Sequence, residues 1–129
     1  MLAHQLKYSV LSGRFAVCRM APGTTIPEWV TSSKFFSITR SADELSVVCD
    51  EEYVPAGVRS EAGWACIHLH GPFPFQMTGV LAAILNPLAA ANIGIFAVST
   101  FDTDYILIKS DEVQAAEQAL SAAGHERVA

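Results

Sequence analysis

The chain has 129 residues, 51% apolar and only 16% charged, enough for one compact domain or for two half-size modules that share a core. Thirteen acidic against eight basic residues give a net charge of −5, and the basic ones stand singly. The phosphate-neutralising cluster that nucleic-acid binding needs is missing, so no nucleic-acid partner is expected.

The opening residues, with His4, Gln5 and Lys7, hold no apolar run of signal-peptide length. Met77 to Val98 is the longest weakly polar stretch, but Asn86-Pro87 and Asn92 interrupt it, so no membrane span is expected. Cys18, Cys49 and Cys66 are odd in number, widely spaced and set in apolar runs. They fit buried free thiols better than a disulfide framework, which points to the cytoplasm.

Leu6–Leu11 and Phe15–Met20 read as two strands around Ser12-Gly13-Arg14. A loop, Ala21–Thr25, leads to Ile26–Val30, which is long enough for one or two helical turns with Pro27 near the start. Phe36–Val48 then reads as strand, acidic turn and returning strand. It aligns without a gap on Phe96–Ile108, sixty residues on. Asp50–Glu52 and Val54–Gly57 break regularity, and a module boundary belongs near residues 50–62. The expected division is 1–62 and 63–129.

In the second half, Trp64–His70 alternates as a strand and Gly71-Pro72-Phe73-Pro74 turns the chain. Met77, Val80, Leu81, Ile84, Leu85 and Leu88 recur on one helical face, with Pro87 predicting a kink or break near Ala83–Asn86. Asn92 closes the helix. The second hairpin occupies Gly94–Lys109. A last helix is predicted with Ser110 or Asp111 as cap, Val113, Ala116, Leu120 and Ala123 facing inward, and Gly124 as its stop. Glu126–Val128 can add a final strand. The second half therefore reads β-α-β-β-α-β, and the first half is a reduced relative with a leading strand and no room for a second helix.

The run Phe75-Gln76-Met77-Thr78-Gly79-Val80-Leu81-Ala82-Ala83-Ile84, continued by Pro87–Ile95, resembles an ACT domain, and the fit covers residues 64–109. Residues 15–48 resemble the tandem ACT-like proteins of bacteria related to the cytosolic arginine sensors. The resemblance implies an α+β fold of two ferredoxin-like βαββαβ modules in tandem, with antiparallel sheets and helices on one face. It also implies a regulatory module, not an enzyme, that takes an amino acid at the seam between ACT-like units and works as a homodimer or with a partner protein. No attached catalytic domain is expected, and the first module lacks the glycine-helix motif.

The site residues expected from these segments are Met77, Thr78, Gly79, Val80, Ser99, Thr100, Asp102 and Asp104. Free N–H groups at a helix start attract a carboxylate, and glycine lets it come close. Gly79 could equally serve helix–sheet contact alone. The hydroxyls and carboxylates of the second hairpin could receive an ammonium or guanidinium group, but Asp and Thr are also ordinary turn residues. The first-module counterparts, Ser41, Asp43, Glu44 and Ser46, share that ambiguity. His68 and His70 share a strand face, but a stable zinc site wants three or four ligands, so no metal and no cofactor is expected. They are expected to flank the seam. No nucleophile elbow or nucleotide loop occurs. The rival functional readings are a ligand-free dimerisation module that uses a sheet edge, and a small enzyme built on the two histidines.

Overall fold

Residues 4–74 and 77–129 are described by the computed structural model of the protein; Phe75 and Gln76, at the head of the helix motif, lie outside them. Apolar runs that alternate or carry β-branched residues form the strands. These are β1 (Lys7–Val10), β2 (Phe15–Met20), β3 (Ser37–Arg40), β4 (Leu45–Asp50), β5 (Arg59–Leu69), β6 (Phe96–Ser99), β7 (Asp104–Lys109) and β8 (Glu126–Arg127). The helices are α1 (Glu28–Thr31), α2 (Val80–Ala90) and α3 (Val113–Ala122), and single 3-10 turns stand at Glu51–Tyr53 and Ser110–Glu112.

The chain divides into a smaller unit, Gly13–Trp64, and a larger one made of the chain up to Ser12 with Ala65–Ala129. This differs from a cut at 62/63, because β1 leaves the residues that follow it. Tyr8 pairs with Leu69 of β5, and Lys7 with Glu126 of β8. Such non-local pairings carry no mark in local sequence. The smaller unit is thus inserted after the first strand of the larger, and β5 runs from one into the other.

The smaller unit has strand order β3-β4-β2-β5 and chain order β2-α1-β3-β4-β5, with a 3-10 turn where a second helix would stand. Its core gathers Ala16, Cys18, Val30, Leu45, Val47 and Cys49, to which the one-turn helix α1 contributes Val30. The larger unit has order β6-β7-β5-β1-β8, with β1 antiparallel to β5 and parallel to β8. Both its helices pack on one sheet face. Ile84 and Leu88 of α2 and Leu120 of α3 are fully buried with Ile67, Leu69, Ile106 and Ile108. Each such aliphatic side chain contributes about 1.5–3 kcal/mol. The fold is α+β: two βαββαβ modules, the first reduced. Cys18, Cys49 and Cys66 are buried free thiols.

Helix α2 runs unbroken through Pro87, against the expected kink or break. Proline supplies no N–H, so the Ala83 carbonyl loses its helical donor. His125, only 5% exposed, replaces it: Nε2 lies 2.8 Å from the Ala83 oxygen. Its Nδ1 accepts the Leu6 N–H at 3.0 Å. The two bonds together require the tautomer with its proton on Nε2. A side chain from the far end of the chain thus keeps the helix whole.

Local backbone sets both helix starts. Helix α2 starts at Val80, at the expected Thr78–Val80 opening, and leaves Met77 ahead of its face, because Gly79 takes a left-handed φ of +81° immediately before it. Helix α3 starts at Val113, because Ser110–Glu112 first make a 3-10 turn, and neither Ser110 nor Asp111 caps it. Ala116 and Leu120 are buried as expected, but Ala123 lies past the helix and is exposed. Asn92 adopts φ +59°, closing α2 as read.

The strand bounds of the two hairpins correspond at an offset of 59 residues, not 60. Arg40 pairs with Leu45, and Ser99 with Asp104, each pair closing a four-residue turn. The Ser41 amide donates to the Glu44 oxygen at 2.9 Å, and the Thr100 amide to the Thr103 oxygen at 2.8 Å. The 3-10 turns obey the same offset. A slip of one residue exchanges the faces of a strand, so the ungapped alignment put inward residues opposite outward ones.

Candidate functional site

In the larger unit, the loop that enters α2 and the β6–β7 turn face each other across a cavity of about 400 Å³. One wall is Phe73, Pro74, Met77, Gly79 and the first turn of α2, Val80–Ala82; the other is Ser99–Asp104. Of the eight site residues read from sequence, seven line this cavity. The exception is Thr78, whose carbonyl oxygen lies 2.7 Å from Nε2 of His4. That ring nitrogen donates, since a carbonyl can only accept.

The α2 wall presents backbone donors. The first bond of the helix ladder is Ala83 N–H to Gly79 O at 2.9 Å, which leaves the amides of Val80, Leu81 and Ala82 ahead of it. The helix start has no side-chain cap and no acidic residue in its first turn. Gly79 is required there for its backbone angle. A Cβ would meet nothing closer than the His4 ring at 3.7 Å, but an L side chain resists φ +81°.

The hairpin wall is polar and firmly built. Ser99 Oγ donates to Asp104 Oδ1 in a short contact across the first pair of the hairpin. Thr103, buried inside the turn, donates its hydroxyl to the Leu69 oxygen at 2.7 Å. The turn is also held to the entry loop: Phe73 N–H donates to Asp102 O at 2.8 Å. A Cβ on Gly71 would stand 2.8 Å from that same Asp102 oxygen, so only glycine permits the approach. Asp102 is exposed and Asp104 half-buried, and Phe101, at the tip, is 77% exposed. His4, Phe73, Pro74 and Phe101 were not read from sequence; only the pairing of loop and turn brings them to the site.

A second cavity, about 440 Å³, is lined by His68, His70, Gly71, Pro72, Thr100, Asp102, Thr103 and Tyr105. His68 stacks on Tyr105 with ring centroids 4.5 Å apart, and His70 Nε2 lies 3.0 Å from Ser9 Oγ. Burial, and then the neighbouring His70, push the His68 pKa below its ordinary value. Burial, then Cys66 and Asp102, push the Tyr105 phenol up. Burial likewise raises the Cys66 thiol to about 12, leaving it inert at neutral pH. Among the described residues no three His, Cys, Asp or Glu side chains come together as a metal site.

A family model for the ACT domain matches residues 59–122, and a second model, described as an N-terminal domain, matches residues 13–57. The chain belongs to the ACT-domain family. The Agrobacterium tumefaciens protein Atu0741, a solved structure, is 39% identical, with a TM-score of 0.93 over 98% of this chain and 94% of that one. The Mus musculus protein named cytosolic arginine sensor for mTORC1 subunit 1 is 33% identical over 91 residues, 64% of this chain and 28% of that protein. The regulatory subunit of aspartate kinase from Thermus thermophilus is 12% identical, covers 94% and 95% of the two chains, and has a TM-score of 0.59. That likeness is one of ACT fold alone. The chain spans 28% to 56% of the length of the curated relatives it matches. Among the described residues no helix is long and apolar enough to cross a membrane.

Proposed function

We propose that this chain is a non-catalytic regulatory module that binds an amino acid in the cavity between the α2 start and the β6–β7 turn. One observation carries the reading: an uncapped helix start and a pair of acids form opposite walls of one cavity. The amides of Val80–Ala82, at the positive end of the helix dipole, suit the ligand's carboxylate. Asp102, and Asp104 with Ser99, suit its cationic end. The relative named as an arginine sensor supports an amino-acid ligand, and with two acids on one wall a cationic amino acid is the first candidate. A second ACT-like unit, from another copy or a partner protein, closes the open side of the cavity. Occupancy then shifts which association is favoured, since only differential affinity for two states transmits a signal.

Calorimetric titration with the twenty amino acids tests this. Saturable binding of one of them is expected, weakened roughly 10- to 100-fold in Asp102→Asn, since a charge-assisted hydrogen bond contributes about 1.5–3 kcal/mol. Absence of heat with all twenty, on folded protein, would reject the ligand. It would favour a module that only associates, a reading to which the exposed Phe101 lends its support.

A further inference from the structure

With the hairpins aligned at 59 residues, Ser99 of the larger unit corresponds to Arg40 of the smaller. The two end their strands at the same point, and they do different things. Ser99 reaches only to Asp104, and the space between hairpin and helix-entry loop stays open. Arg40 crosses the corresponding space. Its Nη1 donates to the Pro22 oxygen at 2.5 Å and its Nη2 to the Thr24 oxygen at 2.8 Å. Both carbonyls belong to the loop between β2 and α1, the counterpart of the loop that enters α2. That loop is itself closed by a turn, Thr24 N–H to Ala21 O at 3.1 Å, so the carbonyls are presented in fixed positions.

Two acceptors met by two nitrogens of one planar group is guanidinium geometry; an ammonium on the same stem is a point charge and loses the fork. We propose that the smaller unit carries a guanidinium site that Arg40 fills from within the chain, so that of the two equivalent hairpin–loop spaces only the larger unit's is left open to a ligand. Arg40 is the built-in occupant of the repeat's second site. Removing its side chain exposes a carbonyl pair that accepts a free guanidinium ion.

The test is chemical rescue on the full chain. In Arg40→Ser, methylguanidinium at millimolar concentration is expected to shift the amide resonances of Gly23 and Thr25 saturably, because those amides share peptide groups with the Pro22 and Thr24 carbonyls. Wild-type protein should show neither shift, and methylammonium should bind the variant at least fivefold more weakly. Equal responses of variant and wild type, equal responses to the two cations, or no response of the folded variant would each overturn the proposal. Should Arg40→Ser fold poorly, Arg40→Lys gives the same reading: it keeps the charge, loses the fork, and is expected to recover the shifts with methylguanidinium alone. The larger unit's ligand is not used, so either proposal can fail without the other.

Discussion

In the first hairpin Ser41 closes the turn, its amide donating to the Glu44 oxygen and its hydroxyl accepting the Glu44 amide at 3.3 Å. In the second, Thr100 makes the same two bonds with Thr103. Backbone, turn length and closing chemistry are therefore shared, and so is one acid, Asp43 against Asp102. The differences sit at the flanks. Arg40 and buried Leu45 stand where the second hairpin has Ser99 and Asp104. The first hairpin clasps its own loop and feeds its core, while the second leaves a cavity and lines it with a second acid. The scaffold is shared, and the two hairpins differ at two flanking positions where the space beside them is filled or open.

The units also differ in how they support their helices, and the largest expected effect tests that. Helix α1 has four residues, whereas α2 has eleven and contains Pro87. His125→Ala removes the partners of Ala83 O and Leu6 N–H together, two buried groups at about 1–3 kcal/mol each. A loss of roughly 2–4 kcal/mol in denaturant unfolding is expected. In a Pro87→Ala background the helix regains its own donor for Ala83 O, so the same histidine substitution should cost about 1 kcal/mol less. Strictly additive losses would show that the histidine does not substitute for the missing helical bond.

A smaller effect separates the helix starts. Pro27 precedes α1 with an ordinary φ of −69°, while Gly79 precedes α2 at +81°. Gly79→Ala should cost about 1–2 kcal/mol of stability. If the ligand reading holds, amino-acid affinity falls as well, because the amides of Val80–Ala82 follow that residue. Gly79→Asn, which tolerates left-handed backbone, should restore most of the stability. A fully stable Gly79→Ala protein would refute the conformational role of this glycine.

Much of this was legible in sequence because it is local. Periodicity marked α2 and α3, the alternation of Trp64–His70 marked the C-terminal half of β5 but not its start at Arg59, and the acidic turns marked both hairpins. Seven of the eight candidate residues meet in one cavity because they belong to two local motifs that the βαββαβ order brings together. What stayed hidden depends on distant partners. Strand β1 is claimed by β5 and β8, and an unbroken helix through Pro87 depends on a histidine 38 residues further on. The 59-residue offset was masked because the strands are apolar on several successive positions, so similarity of character could not fix their register. The four-residue turns could, once Ser41 and Thr100 were seen to close them.

The smallest expected effect bears on that equivalence. Ser41→Ala and Thr100→Val each remove a hydroxyl that both donates to and accepts from its own turn. Such bonds at the surface contribute about 0.5–1 kcal/mol net, because water competes for the same groups. Similar losses are therefore expected, with Thr100→Ser near wild type. The Thr100 bond is the shorter, 3.1 Å against 3.5 Å to the turn carbonyl, so any difference should favour a larger loss there. A loss confined to one turn, seen as faster amide exchange at Glu44 or at Thr103 but not both, would mean the repeats share shape without sharing what holds it.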